Sequence, residues 1–186
     1  MQSRVVFYYS FLLICFTTVS CRPTKTKLSE AELKWVKVYK AGDTLIFKST
    51  RNEFDTSLIE KSEVYYPEFM PIEVHNKYLP QSGIVIYKNL KYRDNGEELV
   101  RITKRLPNRQ TRLFIDYLNS GITVLDLMKG EVEKYKHGKV YEFDTYHLKA
   151  KPNEPKKIFW HEDYGIIKYI THDDVIWELV NHSIIQ

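Results

Sequence analysis

The stretch 112–127, RLFIDYLNSGITVLDL, carries the pattern that decides the fold class of this chain. Leu113, Ile115 and Tyr117 fall on one face of an extended strand, because successive side chains of a strand alternate between its two faces. Asn119-Ser120-Gly121 interrupts the pattern, and asparagine and glycine tolerate the left-handed backbone of tight hairpin turns. We therefore predict a hairpin of two antiparallel strands, 112–118 and 122–127.

The same kind of short apolar segment recurs on both sides of this hairpin. Segments with three prolines (67–80) or with two prolines and charged residues (152–157) read as breaks between strands. No long helix separates the strands, which excludes parallel βαβ units. The sequence thus predicts a mainly β, single-domain antiparallel meander, as a curved sheet, sandwich or open barrel. The further predicted strands are 44–48, 57–66, 83–87, 99–103, 132–135, 140–143, 158–160, 166–171 and 175–179.

One short helix is predicted ahead of the strands. Ser29 can cap the amide of Glu32, and the Glu32 side chain can reach back to the Ser29 amide, which is a capping box. We expect the helix to run from Glu30 to about Tyr39. Gly42 then ends it, since glycine adopts positive φ without strain.

The composition is that of a folded protein with little net charge. Of 186 residues, 43% are hydrophobic, and there are 14 Tyr, 9 Phe and 3 Trp, enough to bury a core. The net charge is +4, and it falls to +3 without segment 1–20, which holds Arg4 as its one charged residue. A nucleic-acid partner would need clustered basic residues on one face, so we expect none, and we expect no cofactor.

The N-terminus has the regions of an export signal. Residues 1–4 are positively charged and residues 5–19 are apolar and uncharged. At 15 residues, this run is shorter than the roughly 20 that span a bilayer as a helix. Cleavage between Ser20 and Cys21 would remove Cys15 and leave Cys21 as the only cysteine, so no intramolecular disulfide is expected.

Thr18-Val19-Ser20-Cys21 resembles the lipobox of prokaryotic membrane lipoproteins, although Thr18 stands where Leu, Val or Ile is usual. The resemblance implies a diacylglyceryl group on the Cys21 thiol and a lipid anchor in the cell membrane or the outer membrane, facing the periplasm. Arg22, in place of an aspartate after the cysteine, favours the outer membrane. The implied organisation is a signal peptide (1–20), a lipidated polar tether (21–27) and a β-rich globular domain (28–186).

A second resemblance covers parts of the folded region. Residues 157–179, KIFWHEDYGIIKYITHDDVIWEL, and residues 42–48, GDTLIFK, are similar to uncharacterised Bacteroidota-type periplasmic β-domain lipoproteins. This similarity implies a fold and a compartment and no particular activity, because fold does not fix function.

Two clusters of polar residues were considered as sites for chemistry. His161, Glu162 and Asp163 form one, and His172 with Asp173 forms the other; together they offer a feasible set of ligands for a divalent metal. Pairing of 158–163 with 166–171 would place them at opposite ends of a meander. We therefore expect solvated turn residues and no metal site.

No nucleophile elbow, HExxH motif or phosphate-binding glycine loop occurs in the sequence. Catalytic carboxylates need no sequence motif, so an enzymatic function remains an alternative. The sequence favours a non-enzymatic protein.

Charged and aromatic runs have two interpretations each. The basic run between Lys88 and Arg112 is either a face for anionic lipid head groups or an acidic partner, or a solvated hairpin surface. The aromatic residues form either a platform for a ligand or part of the core; we expect them in the core, where Trp and Tyr need partners for their polar atoms. The basic residues are Lys88, Lys91, Arg93, Arg101, Lys104, Arg105, Arg109 and Arg112; the aromatic ones are Tyr141, Phe143, Tyr146, Trp35, Trp160 and Trp177.

Three functions follow from these observations. The leading hypothesis is a lipid-anchored cell-envelope lipoprotein with a non-enzymatic binding or structural role, whose partners are the membrane, through Cys21, and an envelope protein or lipid ligand. The second is a periplasmic carrier or binder of lipids or lipoproteins, which needs an open apolar cavity. The third is an envelope hydrolase that uses histidine and carboxylates near 161–163 or 172–174.

Overall fold

The computed structural model describes residues 23–68, 77–91, 96–124, 138–145 and 150–182. One α-helix, α1, spans Glu30–Lys37. The strands are β1 Thr24–Lys25, β2 Thr44–Ser49, β3 Phe54–Tyr65, β4 Tyr78–Leu79, β5 Gln81–Asn89, β6 Glu97–Lys104, β7 Arg112–Ile115, β8 Ile122–Val124, β9 Val140–Asp144, β10 Pro155–His161, β11 Gly165–Thr171 and β12 Ile176–His182.

Ten of these strands form one antiparallel sheet in the order β8-β7-β6-β5-β3-β2-β12-β11-β10-β9. The sheet curls into a half-barrel. This confirms the predicted mainly β antiparallel meander with one short N-terminal helix. Two meanders, β2 to β8 and β9 to β12, join where β2 pairs with β12, with Phe47 opposite Leu179. The first and the last strand of this sheet along the chain, β2 and β12, thus lie in its middle.

The helix α1 packs inside the curl. It links the two meanders, which are called the two wings of the sheet below. It contacts β3, β5 and β6, and its Trp35 ring lies 5.2 Å from Tyr141 and 5.1 Å from Trp160 in the other wing. Gly83 permits the close approach, because a Cβ at this position would lie 2.7 Å from Cγ2 of Val36. One hydrophobic core therefore runs between the helix and both wings.

The aromatic residues expected in the core are buried there. Trp35, Phe143, Trp160 and Trp177 are each less than 10% exposed, and Tyr141 packs against the cluster. Tyr146 lies outside the described residues. Because edge-to-face and offset aromatic pairs add to area burial, this cluster supplies much of the packing that holds the curled sheet.

In the hairpin at 112–124, the residues predicted to share one face of the strand all lie on its buried side. Leu113, Ile115 and Tyr117 are fully buried. Asn119 and Gly121 have positive φ, as expected, and so does Leu118, at φ 52°. The Leu118 amide donates a hydrogen bond to the Tyr87 hydroxyl at 2.7 Å, which holds this non-glycine residue in the left-handed region.

Several predicted boundaries shift by a few residues. The capping box at Ser29 and Glu32 is confirmed, but α1 ends at Lys37 instead of about Tyr39. The strand β10 begins at Pro155, inside the predicted break 152–157, because a proline at the first position of a strand removes no ladder hydrogen bond. The predicted strand 132–135 lies outside the described residues.

Candidate functional site

The residues of the predicted lipidation signal, Ser20 and Cys21, lie outside the described residues, which begin at Pro23. The next residues form β1, which pairs in parallel with β4, with Thr24 opposite Tyr78. The amide of Thr24 donates to the Lys77 carbonyl at 2.9 Å, and the amide of Thr26 donates to the Leu79 carbonyl at 3.0 Å. The chain is therefore fixed to the domain from Thr24 onward.

Thr26 secures this attachment in a second direction. It is 2% exposed, its hydroxyl donates to the carbonyl of Lys104 at the end of β6, and its own carbonyl accepts from the Tyr66 hydroxyl at 3.0 Å. Residues 24–26, predicted to be part of the tether 21–27, are thus part of the folded domain. Pairing with a distant strand, which no local pattern reveals, causes this difference.

The attachment lies at one edge of the sheet, here called the upper edge. It contains the start of β5 at Gln81 and the end of β6 at Lys104, which pair with each other. The opposite, lower edge contains the end of β5 at Asn89 and the start of β3. Nine residues of β5 separate the edges, a distance of about 26 Å at roughly 3.3 Å per residue.

A groove of about 780 Å³ opens beside β1 on the upper edge. We call it the basic groove; among the described residues that line it, none is acidic. The side chains of its four basic residues are exposed, and no described acidic side chain forms an ion pair with any of them. The basic groove is lined chiefly by Lys77, Tyr78, Arg105, Arg109, Gln110 and Arg112.

The carboxylate of Glu32, which contacts Thr111 next to Arg112, is already engaged. It accepts hydrogen bonds from the Ser29 amide at 2.7 Å, from the Lys104 ammonium at 2.9 Å and from the Thr111 hydroxyl. Burial opposes its ionisation, but these hydrogen bonds outweigh burial and lower the pKa of Glu32 to about 2. Its charge is matched by Lys104, so among the described carboxylates Glu32 does not compensate the positive charge of the groove.

A second polar feature, at the lower edge, is a buried carboxylate that the sequence did not reveal. Asp55 is 3% exposed and accepts hydrogen bonds from Asn89 at 2.7 Å, Tyr169 at 3.0 Å and Tyr117 at 3.2 Å. Burial, followed by the charge of Asp55, raises the pKa of Tyr117 well above its usual value. The inward positions of β3 carry the signal for this site, but the predicted strand began two residues later, at Ser57.

The cavity above Asp55 measures about 80 Å³, well below the roughly 300 Å³ of typical small-molecule sites. Its lining residues Arg51 and Asp173 form an ion pair at 2.9 Å. With three hydrogen bonds on Asp55 and an ion pair among the lining residues, this network serves to join β3, β5 and β11. We assign it a structural role.

The two polar clusters predicted around the histidines are not brought together. His161 is 1% exposed and accepts the Asp163 amide at 3.1 Å, while Glu162 lies 3.8 Å from Lys34 on α1. His161 pairs with Gly165 at one end of β11, and His172 follows Thr171 at the other end. The two turns are thus about 20 Å apart along the strand, as the predicted pairing required.

No group of three or more potential metal ligands forms among the described residues. The groups around 161–163 and 172–173 are therefore separate features. Asp173 binds Arg51 and the Thr171 hydroxyl instead of a partner near His161.

Comparison with protein-family models, curated proteins and solved structures found no match for this chain. Within the described part of the chain, no helix has the length and apolar character to cross a membrane. The basic groove is consequently identified from geometry alone. The sequence pointed to Arg105, Arg109 and Arg112 through the basic run, but it missed Lys77, which only the pairing of β1 with β4 places beside them.

Proposed function

We propose that this chain is a lipid-anchored protein of the bacterial cell envelope in which Cys21 bears the lipid and the β-domain has a non-enzymatic binding role. One observation carries the proposal: the folded domain begins at Thr24, three residues after Cys21. Three residues span at most about 10 Å. A lipid on Cys21 would hold the upper edge of the sheet close to a bilayer.

The interior of the domain favours this role over that of a lipid carrier. A carrier needs an apolar cavity that admits an acyl chain. The inward face of the described sheet is instead filled by α1 and by large side chains that are less than 2% exposed, among them Trp160, Tyr39, Tyr87 and Phe47. Such a core resembles the close-packed interior of an ordinary globular domain.

The separation of the two histidine clusters favours the same role over that of a hydrolase. A hydrolase site needs a nucleophile or an activated water, a base and a group that orients the base within hydrogen-bonding reach of one another. His161 and His172 lie at opposite ends of β11. Among the described residues, neither cluster belongs to a group of three or more His, Cys, Asp or Glu side chains arranged to hold a metal ion.

The test is the intact mass of protein isolated from the membrane fraction, compared with a Cys21→Ser variant. Loss of residues 1–20 with added acyl mass on Cys21, abolished by the substitution, is the expected result. A wild-type protein that carries no acyl mass would refute the lipid anchor. A Ser20→Ala variant is a suitable control, because a small residue before the cysteine preserves the processing pattern.

A further inference from the structure

We propose that the basic groove binds the phosphate head groups of anionic lipids, so that the upper edge of the domain lies against the same bilayer that holds Cys21. The proposal rests on the proposed envelope function and names the surface on which the domain docks. The lipid would then supply attachment, and the groove would set the orientation of the domain on the membrane.

Chain geometry places the groove within reach of the membrane surface. Thr24 is hydrogen-bonded to Lys77, and Thr26 is hydrogen-bonded to the carbonyl of Lys104, the residue before Arg105. The first strand thus runs between both walls of the groove. With at most about 10 Å between Cys21 and Thr24, the groove begins at a distance comparable to the Debye length of about 8 Å at physiological salt.

The charge of the groove fits an anionic surface. Arg105, Arg109 and Arg112 are exposed and arise from one loop and the start of β7, with Lys77 on the facing wall. Arginine binds phosphate oxygens in a bidentate manner through its planar guanidinium group. Lys25, exposed on β1 with its ammonium 4.8 Å from the centre of the Tyr66 ring, extends the positive surface along the same edge.

The uncharged residues of the groove fit the boundary between head groups and acyl chains. Tyr78 and Leu106 line it beside the arginines, and Tyr65 is 38% exposed at the end of β3 on the same edge. Tyrosine is enriched at membrane interfaces because it has an apolar ring and a polar tip. A soluble polyanion would use the cations and leave these apolar surfaces in water, so the combination favours a lipid surface.

Two acidic residues of the described upper edge, Glu162 and Asp163, lie in the other wing of the sheet, and exposed Glu68 follows the end of β3 by three residues. Glu162 and Asp163 follow β10, and Glu162 is 3.8 Å from Lys34 on α1. Glu32, between the two regions, is held by Lys104. Since the described lining of the groove carries no carboxylate, its cations can meet an anionic surface directly.

Arginine labelling of the full-length protein tests the proposal. The protein as isolated is mixed with vesicles of phosphatidylcholine alone or of phosphatidylcholine with phosphatidylglycerol, treated with phenylglyoxal and mapped by mass spectrometry. Each basic residue near an anionic membrane raises the equilibrium constant for contact with that surface about fivefold. We expect labelling of Arg105, Arg109 and Arg112 to slow about fivefold on the anionic vesicles alone, and the protection to vanish at high salt.

Two arginines of the same molecule serve as controls. Arg51 lies at the lower edge and Arg101 on the face of β6, with 58% and 54% of their side chains exposed. Their labelling should be the same on both kinds of vesicle. Equal labelling of the groove arginines on both kinds of vesicle would overturn the proposal. So would equal protection by inorganic phosphate without vesicles, because the groove would then be a site for a free anion.

Charge variants separate the groove from the fold and from the anchor. Arg105, Arg109 and Arg112 changed together to glutamine should lose the protection of Lys77 against an amine reagent on anionic vesicles, and the matching change to lysine should keep it. The intact mass of the same sample reports the lipid on Cys21 separately. Protection without acyl mass would refute the anchor and retain the groove, whereas acyl mass without protection would refute the groove alone.

Discussion

Changing Glu32 to glutamine should destabilise the domain at neutral pH and flatten its loss of stability in acid. Glu32 joins the cap of α1 to the end of β6 and to the start of β7, through Ser29, Lys104 and Thr111. Its pKa is about 2 in the folded chain, against 4.5 for an ordinary glutamate. Because the folded pKa is the lower one, the stabilisation is complete above pH 4.5 and is lost as the pH falls from 4.5 through about 2.

The magnitude follows from this difference in pKa. The fall in the pKa of Glu32 from 4.5 to about 2 corresponds to a stabilisation of the folded state by at most about 3.4 kcal/mol. The carboxylate side chain is 12% exposed, and screening by water reduces the expected contribution of Glu32 to about 2 kcal/mol. The glutamine keeps the size of the side chain and some of its hydrogen bonds, so the loss at pH 7 should be about 1–2 kcal/mol.

Urea unfolding, followed by circular dichroism from neutral pH to pH 2, measures both effects. The matched control is Glu30→Gln, in the same first turn of α1, whose carboxylate is 87% exposed and bonded to Lys37. We expect the control to change the free energy of unfolding by less than about 0.5 kcal/mol. An acid dependence in Glu32→Gln as steep as that of the wild type would refute the reasoning, because it would assign the proton uptake to other carboxylates.

Two further predictions concern the lower edge and the core. Replacing Asp55 with alanine should lower the free energy of unfolding in urea by about 3 kcal/mol, because two tyrosine hydroxyls and one amide lose a buried acceptor. The control Asp144→Ala, at an exposed residue, should lower it by less than about 0.5 kcal/mol. Similar losses for both variants would contradict the role of the network. Burial raises the pKa of Tyr39, Tyr87 and Tyr117 above the ordinary value of 10. Above pH 10 the folded state therefore holds about three protons that the unfolded state releases. The free energy of unfolding should fall there by up to about 4 kcal/mol per pH unit. Phenolate absorbance measured together with circular dichroism tests this, and ionisation of every tyrosine in a chain that still has its native circular dichroism spectrum would be the contrary result.

The basic groove was only partly accessible to prediction. Arg105, Arg109 and Arg112 stand close together in the sequence, and a face for anionic lipid head groups is one of the two interpretations of the basic run that contains them. Lys77 and the first strand belong to the same groove only because β1 pairs with β4 across more than 50 residues. No local pattern marks a pairing between two strands of two residues each.

The network at Asp55 shows a second limit of sequence patterns. An aspartate is depleted in strands and is seldom buried, and the predicted strand begins at Ser57, two residues after it. The acceptor is tolerated because Tyr117, Tyr169 and Asn89 supply donors from three other parts of the sheet. These partners are 34 to 114 residues away.

The sequence by itself determined the features that depend on neighbours within a few residues. The capping box of Ser29 and Glu32, the turn at Asn119 to Gly121 and the alternating faces of Leu113, Ile115 and Tyr117 are local, because caps, turns and strand periodicity are set by adjacent backbone geometry. The tertiary structure alone decided which strands that lie far apart in the sequence are neighbours. Alternation shows which face of a strand is buried and carries no information about its partner, so the pairing of β2 with β12 and of β1 with β4 follows from the packing of the whole chain around α1.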